Sequence, residues 1–243
     1  MVEQTGHEIP AAVYDEAGEG ERSFLENISR RLRRPQPKSA PKHPFRGAPE
    51  FWKEYQLPVD ECIRTFIDHW ESAGGKAIRT SGDNELRQTV IEILQTHHIT
   101  SVIRQNQPKL AELLLDAGMP EARWKTWSVA ERGSLAEFAA QADAGVVIAD
   151  YAVAHTGTVV LGSSSDKGRS VSLLPPLLVV IVPISRLRTR LGEVMRDLQE
   201  ISSAQFPAGV HFVSGPSRSA DIENDLTIGV HGPGIVYAIM ADF

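Results

Sequence analysis

The sequence predicts an α/β fold in which a mostly parallel open sheet is flanked by helices. From residue 57 onward, segments with apolar residues at helical spacing alternate with short apolar runs. Several of those runs are apolar and β-branched without interruption, as strands covered on both faces are. The chain has 243 residues, 42% of them hydrophobic, which is enough for a large buried core.

The first half of the α/β region carries clear start and stop signals. Gly74-Gly75 is expected to end the first helix, Asp83 to cap the second, and Ser134 with Glu137 to form a capping box for a later one. The predicted elements are a helix over 59–72, a strand over 76–80, a helix over 83–96, a strand over 100–104, a helix starting at Pro108, a helix after Ser134 and a strand over 145–149.

The second half is richer in strands. Strands are predicted over 156–161, 177–182, 210–213 and 235–240. Between them lies one amphipathic helix, predicted from the helical spacing of Ile184, Leu187, Leu191, Val194, Leu198 and Ile201. Residues 50–243 are therefore expected to form a single α/β domain.

The N-terminal residues 1–49 are predicted to be a separate, charged segment. Residues 1–21 hold six acidic residues and no Lys or Arg, whereas residues 22–46 hold eight Lys or Arg and one Glu. A short amphipathic helix is predicted over 22–34, followed by a proline-rich connector. This helix is either a solvated lead into the linker or a docking element for an acidic partner or for nucleic acid.

Composition excludes several classes of protein. The net charge of −6 gives no general attraction to nucleic acid. No apolar run reaches the roughly 18 residues of a membrane span, and no signal peptide is evident, so a cytoplasmic protein is expected. The single cysteine, Cys62, cannot form an internal disulfide or hold an iron–sulfur cluster, so no cofactor is expected in this chain. His97-His98 lack the spacing of a metal site, and none is predicted.

The first candidate site is His155-Thr156-Gly157-Thr158. The Thr-Gly-Thr step interrupts an otherwise apolar strand and offers two hydroxyls. Glycine in a strand allows close approach of a ligand or of another backbone. A β-bulge or tight bend explains the same pattern, and both interpretations stay open.

The second candidate site is the polar loop over 162–176. Lys167 and Arg169 follow a run of serines that includes Ser163, and Ser170 and Ser172 come next. Backbone N–H groups and a guanidinium can hold an anion in such a loop. The loop matches neither common nucleotide-binding fingerprint, and a plain solvated loop is the alternative.

The third candidate site follows the strand over 210–213. Gly215-Pro216 turns the chain, and Ser217 or Ser219 is expected to cap a short helix whose first turn holds Asp221 and Glu223. A helix beginning there would give an anion site at the carboxyl edge of the sheet, with Arg218 beside it. The carboxylates either cap the helix and pair with arginine, or act as acid and base. His231 lies in a glycine-rich turn further on.

Four of these segments appear together in a known order. Thr156-Gly157-Thr158, then Gly168-Arg169-Ser170 with Ser172, then Gly215-Pro216-Ser217 with Ser219, and finally Gly229-Val230-His231-Gly232-Pro233 resemble the LUD-domain family, within it the lactate-utilisation protein C branch. The resemblance is strong from about residue 145 and general before it. It implies a fold like that of the 5-formyltetrahydrofolate cyclo-ligases, sugar-phosphate isomerases and coenzyme A transferases.

The resemblance also implies a role in converting L-lactate to pyruvate, together with iron–sulfur partner subunits. The motif residues would then bind a small carboxylate, namely Thr156, Gly157, Thr158, Ser163, Arg169, Ser170, Ser172, Gly215, Ser217, Arg218 and Ser219. Asp221, Glu223, His231 and His155 are the catalytic candidates, although relatives are expected to carry an acidic or amide residue where His155 stands. The alternatives are a free-standing nucleotide- or folate-binding ligase or transferase, and a non-catalytic scaffold.

Overall fold

The computed structural model describes residues 19–34, 55–202, 205–222 and 225–243. The chain divides into two units, Met1–Glu54 and Tyr55–Phe243. In the first unit, α1 (Glu19–Arg31) begins and ends three residues before the bounds predicted. The proline-rich connector predicted over 35–49 lies outside the described residues.

The second unit contains the alternation of helices and strands. Its described helices are α2 (Val59–Ser72), α3 (Gly82–Thr96), α4 (Pro108–Glu112), α5 (Leu115–Gly118), α6 (Arg132–Gln141), α7 (Ser170–Leu173) and α8 (Leu191–Gln199). Its described strands are β1 (Lys76–Thr80), β2 (Ser101–Arg104), β3 (Arg123–Thr126), β4 (Ala144–Ile148), β5 (Tyr151–Val153), β6 (Thr158–Gly162), β7 (Leu177–Pro183), β8 (Leu187–Arg188), β9 (Val210–Val213), β10 (Arg218–Ile222), β11 (Asp225–Ile228) and β12 (Ile235–Ala241).

Six strands form a parallel sheet in the order β1-β12-β7-β4-β2-β3. Helices cover both faces of this sheet, and the predicted α/β class is confirmed. Every residue of β4 and β7 is buried, which explains their uninterrupted apolar sequences. Adjacent side chains point to opposite faces: Val180 packs with α2 and α6, while Val179 packs with α3, α4 and α5.

A second, mixed sheet lies beside the first, in the order β8-β5-β6-β9. One face contributes Ala152, Val159 and Leu161 to the core shared with α2 and the main sheet. The other face packs Val153 and Val160 against α8. The small sheet is therefore covered on both sides, and β6 runs through its middle.

Three predicted capping or helical features of the sequence are wrong. Asp83 lies inside the first turn of α3 and pairs with Lys109. Ser134 does not cap a helix, because α6 starts at Arg132 and the Ser134 hydroxyl donates to the Glu131 carbonyl (3.1 Å). The helix predicted over 184–201 is shortened to α8, since Leu187–Arg188 pair with β5 as a strand instead.

The short helix predicted after Ser217 is also wrong. Residues 218–222 form β10, which pairs with β11 in an antiparallel hairpin. A serine followed by acidic residues is typical of a helix start, but pairing between two short segments outweighs that local preference here.

Candidate functional site

A cleft of about 740 Å³ opens at the carboxyl ends of β2, β4 and β7. The chain leaves β2 toward the edge strand β3. After β4 it passes through β5 and β6 of the small sheet and returns to the main sheet as β7, on the other side of β4. Connections that diverge from neighbouring parallel strands leave a crevice between them, where ligands of open α/β sheets characteristically bind. The topology itself therefore creates this opening.

The cleft has two unlike walls. Residues of α4 and of the segment after β7 supply charged and polar groups, which include Lys109, Ser185 and Arg186. The small sheet and α8 supply mostly apolar groups, which are Tyr151, Val160, Leu198, Ile201 and Val210. Ser163 and Lys167 lie where the small sheet ends. Such a lining suits a ligand that is partly apolar and carries charge.

Asp150 fixes the floor of the cleft. It lies two residues after the buried strand β4, and one carboxylate oxygen accepts a hydrogen bond from the Gly162 N–H (2.7 Å). The other oxygen pairs with the Lys167 ammonium group. The Asp150 N–H donates to the Val160 carbonyl (2.9 Å). One side chain thus joins the end of β4 to the end of β6 and to the loop beyond it.

The loop over 163–169 is held against the main sheet. The Asn106 side chain donates to the Asp166 carboxylate (2.9 Å), and the Trp127 indole donates to the Ser165 carbonyl (3.0 Å). Gly168 lies on the Trp127 ring, where a Cβ atom would collide with it. The loop is therefore anchored at several points, in contrast to a plain solvated connection.

The three cations of the cleft differ in their partners. Lys109 pairs with Asp83 (2.7 Å), and Lys167 pairs with Asp150. The Arg186 guanidinium lies over the Tyr151 ring at 6.0 Å from its centroid. Within the described ranges, no carboxylate lies at ion-pair distance from Arg186. Arg186 is therefore the cation of the cleft whose charge is least compensated.

Ser163 links the cleft to His211 in β9. Its hydroxyl lies 3.4 Å from His211 Nε2, and its N–H donates to the Gly209 carbonyl (2.8 Å). Burial lowers the pKa of His211, and the nearby charge of Arg169 lowers it further. The lowered pKa favours the neutral imidazole of His211, whose Nε2 can accept a hydrogen bond from the Ser163 hydroxyl in the tautomer that carries its proton on Nδ1.

The predicted Thr-Gly-Thr site lies at the opposite end of β6. The Thr158 hydroxyl lies 2.7 Å from the hydroxyls of both Thr156 and Ser214. Gly157 has a φ of +53°, and a Cβ atom there would lie 2.5 Å from the backbone nitrogen of Trp70. The glycine thus accommodates the end of α2, which is a backbone approach and not a ligand.

The residues around Gly215 pack near the same end of α2. The Arg218 guanidinium donates to the Ala73 carbonyl, and the Ser217 N–H donates to the Pro233 carbonyl (2.9 Å). Ser219 pairs with Thr227 across the hairpin. The predicted ligand residues therefore fall into separate places, and only Ser163 among them lines the cleft.

The other predicted residues that the structure describes lie outside the cleft as well. Arg169 is exposed, Ser170 starts α7, and the Ser172 hydroxyl donates to the Arg169 carbonyl (3.2 Å). The ring of His155 lies 6.3 Å from that of His69 and 6.5 Å from that of Tyr55. His231 is exposed in the turn before β12, Asp221 belongs to β10, and Glu223 lies outside the described residues.

Cys62 is buried in α2. Burial raises the pKa of its thiol, and Sγ lies 3.9 Å from the Thr189 hydroxyl. In the described part of the chain, no group of His, Cys, Asp or Glu side chains could hold a metal ion. The described helices are all too short or too polar to cross a bilayer.

Sequence reasoning did not single out Asp150, Arg186 or His211. Asp150 could have been found, because a carboxylate directly after a fully apolar strand points to the carboxyl edge of a parallel sheet. Arg186 could not have been found in this way. Residues 184–201 have the apolar spacing of a continuous helix, so the sequence gives no sign of the segment that follows β7.

The chain is similar to known proteins along most of its length. Residues 63–240 match the family model described as LUD domain. Lactate utilization protein C of Halalkalibacterium halodurans is 35% identical over 214 residues, which are 87% of this chain and 93% of the relative. Lactate utilization protein C 1 of Bacillus mycoides is 34% identical over 216 residues, which are 86% of this chain and 92% of the relative.

A solved structure shares the architecture. The crystal structure of a DUF162 family protein from Deinococcus radiodurans has a TM-score of 0.58 and 20% identity, and the match covers 76% of this chain and 99% of that one. At this identity the likeness shows the fold alone.

Proposed function

The chain belongs to the LUD domain family, and from that premise we propose that it takes part in lactate utilisation. The observation that carries the proposal is the 35% identity to a lactate utilization protein C along nearly the whole length of that relative. The family match over residues 63–240 also bears out the resemblance predicted from the C-terminal motifs.

In this proposal the chain works in the cytoplasm as one subunit of a system that oxidises L-lactate to pyruvate. Its one thiol, Cys62, is buried, whereas a cluster needs several accessible thiolates, so in this proposal the clusters belong to the partner subunits that the family resemblance implies. The contribution of this chain is then to bind the carboxylate substrate or to organise the partners around it.

The cleft offers the best-placed cation for a carboxylate. Arg186 is exposed there and, among described residues, faces no acidic group at ion-pair distance. A guanidinium binds a carboxylate through two parallel hydrogen bonds, so an uncompensated arginine in a cleft suits this ligand. Arg169 and Arg218, expected from the motifs, remain the competing positions.

Two measurements test the proposal. A strain of the source organism from which this gene is deleted should not grow on L-lactate, and the intact gene should restore its growth. In calorimetric titration of the whole protein, L-lactate or pyruvate should bind, and Arg186→Gln should weaken binding at least about tenfold, as loss of a charge-assisted hydrogen bond does.

Arg169→Gln is the matched control, since it removes the same charge from an exposed position outside the cleft. Weakening by Arg169→Gln alone would move the carboxylate to the loop over 163–176. Unchanged growth of the deletion strain on L-lactate would contradict the role in lactate utilisation itself.

A further inference from the structure

The cleft is much larger than lactate requires. Its volume of about 740 Å³ lies well inside the range of roughly 300–1,000 Å³ in which proteins hold drug-sized or cofactor-sized ligands. A three-carbon acid bound at Arg186 would fill only part of this volume. The opening therefore suits a larger occupant.

The lining also indicates what kind of body this occupant has. The lining combines the half-buried apolar side chains Tyr151 and Val210 with hydroxyl and amide groups, which include Gln107 and Ser164. An alkyl chain would leave those polar groups without partners once water is expelled, at a cost in affinity. A flat ring with nitrogen and oxygen atoms at its edge satisfies both walls at once.

Two pairs of a cation with an aromatic ring stand in the cleft. The Arg186 guanidinium lies over Tyr151, and the Lys109 ammonium lies 4.8 Å from the centroid of the Phe243 ring. Because Lys109 is already paired with Asp83, Arg186 is the better place for an anionic group. The Arg188 guanidinium, which pairs with Asp197 (2.9 Å), lies 5.4 Å from the centroid of the same Tyr151 ring.

We propose that this cleft is a binding site for an anion of nucleotide size, in which a phosphate or carboxylate group on a flat ring compound contacts Arg186 while the ring lies beside Tyr151. The proposal uses the same cleft as the proposed function and deepens it, but it does not require lactate to be the substrate. A redox ring such as a flavin and an adenine nucleotide share this chemistry.

The test is titration of the whole protein with flavin mononucleotide, ATP and inorganic phosphate, followed by calorimetry. We expect flavin mononucleotide or ATP to bind at least tenfold more tightly than phosphate, because phosphate lacks the ring. Stronger binding of the flavin would assign the site to a redox ring, and stronger binding of ATP to an adenine nucleotide.

Variants locate the site. Arg186→Gln should weaken binding of the better ligand at least tenfold, whereas Arg169→Gln should leave it within twofold. Tyr151→Leu, which removes the ring, should weaken binding. Tyr151→Phe keeps the ring and should bind as the unaltered protein does, which serves as the control for a folding defect at this position.

Equal binding of phosphate and the ring compounds, absence of binding by all three, or equal losses in Arg186→Gln and Arg169→Gln would each overturn the proposal. The growth experiment above is independent of these titrations. A protein that supports growth on L-lactate but binds no ring compound would retain the proposed function and refute this site.

Discussion

The two ends of β6 carry similar residues but have different surroundings, because one end packs against α2 and the other opens into the cleft. At its amino end, Gly157 and Thr158 face the C-terminal part of α2, and the Thr158 hydroxyl bonds to neighbouring hydroxyls of the same chain. At its carboxyl end, Gly162 and Ser163 reach the cleft. The two ends, Thr158 and Gly162, are about 13 Å apart, at roughly 3.3 Å per residue of strand.

The difference lies in what each glycine and hydroxyl meets. At the amino end, backbone and side-chain groups of the protein fill the space that a ligand would need. At the carboxyl end, the sheet stops and its connections diverge, so polar groups remain accessible. A short motif of Gly, Ser and Thr therefore shows that something approaches closely, and the topology decides whether that is the protein or a ligand.

The largest expected effect is at the packed end. Gly157→Ala should lower the free energy of unfolding by roughly 3 kcal/mol, because the new Cβ would lie 2.5 Å from Trp70 N and the residue has a positive φ. Urea unfolding measures it. Gly133→Ala in α6 is the control, since a Cβ there meets nothing within 4 Å and alanine favours a helix. Equal stabilities of the two variants would contradict the close packing of α2 against the amino end of β6.

The next effect separates the two hydroxyls. Thr158→Val keeps the shape of a buried side chain but removes a hydroxyl with two partners, and should cost about 1 kcal/mol of stability. Ser163→Ala removes one long hydrogen bond, to His211, and should cost less. For ligand affinity in the cleft we expect the reverse order, measured by the same titrations. If Thr158→Val weakened ligand binding more, the assignment of the two ends would be reversed.

The smallest expected effect is on the pKa of His211, which lies beside Ser163 at the carboxyl end of β6. Removing the charge of Arg169 by Arg169→Gln should raise the pKa of His211 toward its ordinary value, although burial, the larger cause, keeps it lowered. NMR titration of the imidazole measures this shift. Because the folded protein holds this pKa below that of the unfolded chain, the stabilising contribution is present above the ordinary histidine pKa and is lost as the pH falls toward the folded value.

Arg169→Gln should therefore lessen the loss of stability in mildly acidic solution. An unchanged His211 titration would mean that Arg169 does not act on the open end of β6.

The sequence predicted elements best where local signals and burial agree. The bounds of α2 and β1 match the prediction residue for residue, because α2 has a clear apolar face and Gly74-Gly75 follows it. The strand β3 escaped notice, since its residues Arg123–Thr126 lie at the sheet edge and are largely exposed. The β10–β11 hairpin was mistaken for a helix, because pairing partners are invisible to local composition.

The candidate site was less predictable for a related reason. The motifs named residues that contact α2, the hairpin and the cleft, and spacing along the chain does not distinguish these surroundings. Only the strand order shows that the connections after β2 and β4 diverge beside Asp150, two residues after β4. The sequence places Arg186 within the helix predicted over 184–201. In the structure Leu187–Arg188 pair with β5, and Arg186 lies in the segment that follows β7.

The strand order also governs how the polypeptide can acquire its structure during synthesis. β12, from residues 235–241, lies between β1 and β7, so β1 gains its neighbour only when that distant stretch is available. A nascent chain still lacking β12 would expose two unpaired strand edges, which are prone to aggregate. Such far-separated pairing slows folding. The main sheet must therefore close only after residues 235–241 have been synthesised, and chaperones that shield strand edges should matter most before that point.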